Sequence, residues 1–217
     1  MSMNRRDFSL ASAALGLTGV APAAFAQAAP FAAGADYAVL KKPAPTDAPA
    51  GKVEVVEFFS YNCPHCATFE PALEAWSKKM PANAVLRRVP VPFVGNDVAT
   101  KQKLYYTLEA MGKVEELHLK VFQALHVDRQ RLFGDAAVLE WAGKQPGIDA
   151  KKFEETFKSF GVAGKVQRAS QLTQAYDIPG TPAMGVAGRW YVDGGMGKTL
   201  PRMLQICEYL VGQAAKA

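Results

Sequence analysis

The sequence predicts an α/β sheet domain interrupted by a block of helices. Two strand-like runs, 53–59 and 85–91, flank a segment of helical period, and two more, 183–187 and 190–192, precede a closing helix. Between the two pairs, from Asp97 to Tyr176, every apolar repeat is helical. Strand–helix–strand, a helical block, then strand–strand–helix is the order of one sheet domain carrying an insertion. Composition agrees: 217 residues, 49% hydrophobic and 21% charged, are neither disordered nor collagen-like and suit one domain, or one domain with a large insertion.

Residues 1–26 read as an export signal that is cleaved. Arg5 and Arg6 make a positive start, Phe8 to Val20 an apolar stretch, and Ala24-Phe25-Ala26 a cleavage site. The apolar stretch is shorter than the roughly 20 residues of a membrane span. Arg5-Arg6-Asp7-Phe8-Ser9-Leu10 also resembles a twin-arginine signal, with Ser9 where that pattern prefers Leu, so the general secretory and twin-arginine routes both stay open. Either route delivers the chain to a compartment where disulfides persist, most naturally a bacterial periplasm.

Tyr37–Leu40 is a short edge-strand candidate, and Lys42–Gly51, with three prolines, a linker or loop. Val53–Phe59 reads as a buried central strand. Phe69, Leu73, Trp76 and Met80 recur at helical spacing until Pro81 stops the helix, and Val85–Val91 is the next strand. In the helical block the repeats are Leu104/Leu108/Met111, Val114/Leu117/Val121/Leu125, Val138/Leu139/Trp141 and Phe153/Phe157/Phe160. Gly112, Gly134, Gly147 and Gly161 punctuate them, with Asp135 and Asp149 as expected N-caps. Ala183–Ala187 and Trp190–Val192 return to strand character, and a helix from Pro201 to about Val211 closes the chain, with Thr199 near its start.

The net charge of +5 is spread thinly, with no Lys/Arg run longer than two, so it gives no reason to expect nucleic acid as a partner. Three cysteines exclude a disulfide-dense scaffold and any zinc cluster of four Cys. Two of them form Cys63-Pro64-His65-Cys66, straight after a buried strand and opening a helix. A cysteine at a helix start faces unpaired backbone N–H groups and the positive end of the helix dipole, which favour thiolate over thiol. The His65 imidazole can add to this, and Pro64 suits the first helical turn, where its missing N–H costs nothing. A stabilised thiolate stabilises the reduced form, so the disulfide becomes a strong oxidant. Cys63 is expected to be the exposed member attacked by substrate thiolates, and Cys66, one turn in, its partly buried partner. A passive staple closing so small a loop would constrain little chain entropy, and a metal site would need further ligands that the sequence does not cluster here. No metal or other cofactor is expected.

The run Glu57-Phe58-Phe59-Ser60-Tyr61-Asn62-Cys63-Pro64-His65-Cys66, followed by Phe69-Glu70, resembles the active-site segment of the DsbA family of periplasmic thiol:disulfide oxidoreductases. The resemblance extends to the Tyr37–Leu40 strand, the helical insertion and Gly180-Thr181-Pro182, and Pro-His between the cysteines is the family's mark. It implies a thioredoxin fold interrupted by an inserted all-helical domain. On that basis 27–96 is the first part of the fold with the Cys-Pro-His-Cys site, 97–164 the helical insertion, and 165–217 the second part. It implies a cis-proline loop at Thr181-Pro182 that binds extended substrate, cis bonds being essentially a proline matter. The best-known family member carries Val before that proline, so Thr181 is a departure that bears on redox potential and partner affinity. Glu57 matches a buried acid that relays protons to and from the inner cysteine, although strand alternation alone allows it a surface face. Implied partners are reduced exported proteins and a DsbB-type, quinone-linked membrane oxidase; the chain is expected to act as a monomer.

Other signals read as structure. Gly194-Gly195-Met196-Gly197-Lys198-Thr199 lacks the first glycine of a phosphate loop, since Val192 stands there, and reads as a turn. Cys207 lies on the apolar stripe of the last helix, as a core thiol. His118 and His126 read as ordinary helix-surface or core residues, and Trp76 and Trp141 as core. The rival functions are a disulfide isomerase or reductase, and a peptide-binding chaperone with incidental cysteines. Isomerases of this class usually carry an N-terminal dimerisation domain, for which too little sequence precedes Val53.

Overall fold

The computed structural model describes residues 30–216; the export signal expected at 1–26 lies outside them. Five strands, β1 (Ala38–Val39), β2 (Val53–Phe59), β3 (Ala84–Pro90), β4 (Ala183–Val186) and β5 (Trp190–Asp193), form one sheet in the order β1-β5-β4-β2-β3. β2 runs parallel to β3 and antiparallel to β4, so it is interior and every residue after Val53 is buried. That position is why its sequence is nearly continuous in apolar residues, and why its two glutamates need partners. A parallel neighbour requires a crossover, which is α1 (Pro64–Ser77). Pro90 closes β3 at the sheet edge, where a missing N–H is tolerated. β4 and β5 form a hairpin with Ala187 and Gly188 both at positive φ, and a side chain at Gly188 would collide with the Ala44 carbonyl.

The helical block comprises α2 (Val98–Ala110), α3 (Val114–His126), α4 (Gly134–Gly143), α5 (Ala150–Phe157) and α6 (Phe160–Ala175). After β5 come the short α7 (Gly194–Gly197) and α8 (Leu200–Ala214). α6 runs unbroken through 164/165, where the sequence suggested the end of the insertion. Asp149 caps α5 by accepting from the Lys152 N–H at 3.0 Å, as expected. Asp135 does not cap: it lies in the first turn of α4, where it accepts from Thr100 and Lys103 on α2. Phe160 also departs from its expected stripe. Ser159 caps a new helix there, and the ring is 97% exposed while Phe153 and Phe157 are buried. α1 ends at Ser77, one turn short of Met80.

Two apolar clusters sandwich the sheet. Val55, Phe69, Leu73, Met184 and Val192 pack on Met203, Ile206, Cys207 and Leu210 of α8. Phe58, Phe59 and Val89 join Leu104, Leu117, Val121 and Phe157 of the helical block in a second cluster, which also contains Cys63 and Cys66. The helical block thus shares a core with the cysteine site. Among the described residues no helix is long and apolar enough to cross a membrane.

Candidate active site

Cys63 is the N-cap residue of α1, in extended conformation, with Pro64 opening the first turn. The turn before it is pinned twice: the Cys63 N–H donates to the Ser60 carbonyl at 3.0 Å, and Asn62 Nδ2 donates to the Val94 and Asn96 carbonyls at 3.0 and 2.8 Å. Contrary to the sequence expectation, Cys63 is not an exposed residue. It keeps 4% of its surface, against none for Cys66, so it is the more accessible of a buried pair. Pro64 and His65, between them, are exposed.

The two thiols have opposite acidities. Cys63 is drawn down to about 5, chiefly by the hydrogen bond from Cys66, and further by Thr181 and the backbone N–H groups of Cys66 and His65; burial opposes this. What His65 brings to the sulfur here is its N–H. At neutral pH nearly all of Cys63 is therefore thiolate, against about a few per cent of a free thiol. Burial pushes Cys66 far up, helped by its hydrogen bond to Cys63 and by the Glu57 charge.

The loop before β4 brings Thr181 and Pro182 to this pair. The Thr181–Pro182 peptide bond is cis, and Cys63 Sγ lies 3.4 Å from the Thr181 carbonyl oxygen, to which the thiol donates when it is protonated. Thr181 Oγ1 is buried without a partner, leaving its proton available to the thiolate. Replacing Thr181 by Val keeps the volume and removes that donor. The Cys63 titration, followed by thiolate absorbance or by the pH dependence of alkylation, should move upward by about one pH unit. An unchanged midpoint would remove the hydroxyl from the account.

Beneath Cys66 lies a buried polar cluster of which the sequence disclosed only Glu57. Glu57 pairs in register with Arg88 on β3 and is 0% exposed, with Arg88 Nε 3.4 Å from Oε2. Burial, then the Glu70 charge, lift its carboxyl well above the usual carboxylate range, with Arg88 opposing. Glu70, two turns along α1 from Cys63, takes the Arg88 guanidinium through Nε at 2.9 Å and through a second nitrogen. Burial alone would raise Glu70; His118 and Arg88 outweigh it and hold the carboxyl low. His118, read from the sequence as an ordinary helix-surface or core residue, is buried, its Nδ1 2.7 Å from the Tyr61 hydroxyl. His126 Nε2 donates to the Tyr61 carbonyl at 2.8 Å. Glu57, Glu70 and His118 bring donor atoms within 4.8 Å of one another, but the cation between the two carboxyls is already supplied by Arg88.

A low-acidity buried thiol paired with a high-acidity accessible one, over a protonatable carboxyl, can break and form disulfides. The DSBA-like thioredoxin domain family matches residues 54–205. The chain belongs to the DsbA-like thioredoxin-domain family. It is similar to the thiol:disulfide interchange protein DsbA of Bordetella pertussis, 44% identical over 95% of this chain and 96% of that protein. Its counterpart in Pseudomonas aeruginosa is 37% identical over 86% and 87%. The crystal structure of Pseudomonas aeruginosa DsbA superposes with a TM-score of 0.79 at 36% identity, covering 86% of this chain and 97% of that one. Reduced DsbA1 from Neisseria meningitidis gives 0.75 at 27% identity, over 86% and 96%. As a DsbA-like protein the chain has the thioredoxin-like fold with an inserted helical region, and it is a thiol:disulfide oxidoreductase.

Proposed function

We propose that this protein is a periplasmic dithiol oxidase that donates the Cys63–Cys66 disulfide to folding exported proteins. A substrate thiolate attacks Cys63 Sγ, the Cys63–Cys66 bond breaks, and a mixed disulfide forms with the electron pair on Cys66. Glu57 supplies the proton that neutralises the Cys66 thiolate. A second substrate thiolate then attacks the substrate sulfur and leaves with the new disulfide, releasing Cys63 as thiolate. The Thr181–Pro182 loop positions the extended peptide, and residues 97–164 form the insertion over the site between the sheet segments 27–96 and 165–217. Export rests on residues 1–26, and reoxidation falls to a DsbB-type, quinone-linked membrane partner, with the enzyme acting as a monomer and without a cofactor.

The observation that carries this reading is the acidity of Cys63, about 5, in a pair whose other member is pushed the opposite way. A stabilised Cys63 thiolate is the good leaving group of the second exchange and favours reduced enzyme over the disulfide, so the two steps together run toward reduced enzyme and oxidised substrate. Oxidised protein mixed with a peptide carrying one cysteine, then quenched in acid, should show by mass spectrometry the peptide joined to Cys63. A peptide found on Cys66 or Cys207 instead would overturn the order of attack.

A further inference from the structure

We propose that His118, carried by α3 of the helical block, is a positioning residue for the thiol chemistry. Its Nε2–H fixes the Glu70 carboxylate and so leaves the proton of the Glu57–Glu70 pair on Glu57, the member facing Cys66. The inference rests on the reading of Glu57 as proton donor to Cys66.

The contacts of the two carboxyls carry it. His118 Nδ1 lies 2.7 Å from the Tyr61 hydroxyl and Nε2 lies 3.4 Å from Glu70 Oε2. Burial keeps the imidazole neutral, so one ring nitrogen donates and the other accepts. An ionised carboxylate can only accept, so Nε2 carries the proton and Nδ1 accepts from Tyr61, which burial holds as a phenol. Glu70 takes two hydrogen bonds from Arg88 on Oε1, and its Oε2, which has no full hydrogen bond, faces His118 Nε2 at 3.4 Å, whereas Glu57 has a single 3.4 Å approach from Arg88 and no hydrogen bond on either oxygen. Two carboxyls share one guanidinium, and the one that takes its hydrogen bonds and faces a second donor group keeps the charge. The groups facing His118 are Glu70 and Glu74 from α1, Arg88 from β3, Tyr105 from α2 and Tyr61 from the turn before α1. Phe59 and Phe122 close on the ring edge-on at 5.1 and 5.2 Å and exclude water.

The step that depends on this arrangement balances within the chain. When the Cys63–Cys66 bond breaks, the electron pair goes to Cys66 Sγ, the proton leaves the Glu57 carboxyl for that sulfur, and Glu57 is left as carboxylate. Without the His118 donor, Glu70 competes for the proton, Glu57 is ionised at lower pH, and the leaving thiolate meets a negative charge instead of an acid. The helical block thereby takes part in chemistry performed on the sheet domain.

The test compares wild type with His118→Leu and His118→Gln, whose amide can still donate to Glu70. Two readouts are needed: the Glu57 carboxyl titration by carbon-13 NMR, and the pH profile of mixed-disulfide formation by the oxidised protein. In His118→Leu the Glu57 midpoint should fall by about one to two pH units, and the rate at neutral pH should fall about tenfold. His118→Gln should restore both. If the leucine variant does not fold, His118→Phe keeps the ring packing without the donor. A Glu57 midpoint unmoved in a folded variant, or a glutamine variant no better than leucine, would overturn the role of His118. A midpoint that moves while the rate does not would overturn the assignment of the Glu57 proton to Cys66, and the proposal with it.

Discussion

Cys63→Ser protein loses dithiol oxidation entirely, falling to the rate without enzyme. Serine is nearly isosteric and leaves α1, its N-cap and the peptide loop in place, but an oxygen cannot take part in the disulfide. No other thiol can substitute. Cys66 is wholly buried, its acidity pushed the wrong way, and Cys207, on α8, is buried on the opposite side of the sheet. The assay is the return of activity and loss of free thiols in a reduced, unfolded substrate protein with two cysteines. Cys63→Ser is expected to match the blank, and Cys207→Ser to match wild type. Activity retained in the Cys63 variant would favour a peptide-binding chaperone whose cysteines are incidental.

Arg88→Met should cost about 3–5 kcal/mol of stability at neutral pH, because it strands two carboxyls that share the guanidinium in a buried site. The loss should depend on pH with a definite sign. In wild type the Glu70 carboxyl is held low, so its contribution is present above the unfolded value and is lost as pH falls through the folded one. With Arg88 gone, burial raises both carboxyls, so stability is retained below the unfolded value and lost as pH rises through the raised ones. Denaturant unfolding across the acid range should bring the two proteins together at low pH and separate them toward neutrality. A deficit independent of pH would mean that Arg88 serves packing alone.

The sheet and the thiol pair were legible because each has a local signature. β2 is an apolar run of strand length, and Cys-Pro-His-Cys stands where a strand gives way to a helix, so Cys63, Cys66 and the acidity of the first could be read from neighbours along the chain. Asp149, Thr199 and the buried Cys207 likewise announce themselves by position. The polar cluster does not, because its members come from four elements and none carries a pattern of its own. Arg88 stands beside Arg87 in an edge strand, and only alternation sends one to Glu70 and the other to Glu54. His118 sits next to Leu117 on a helix whose period marks a buried face without marking what it faces. Glu70 follows Cys66 by one turn, a spacing that could have placed it on the same face. The burial of Cys63 escaped for the same reason: the Thr181–Pro182 loop that closes on it is distant in sequence.

Folding favours the reduced Cys63–Cys66 pair over its disulfide. Equilibrating the protein with graded mixtures of reduced and oxidised glutathione, and counting Cys63–Cys66 disulfide after acid quenching, measures that preference directly. A dithiol oxidase should be mostly reduced while oxidised glutathione is still in large excess. A pair that stays oxidised until reduced glutathione dominates would contradict the account and make the protein a reductase.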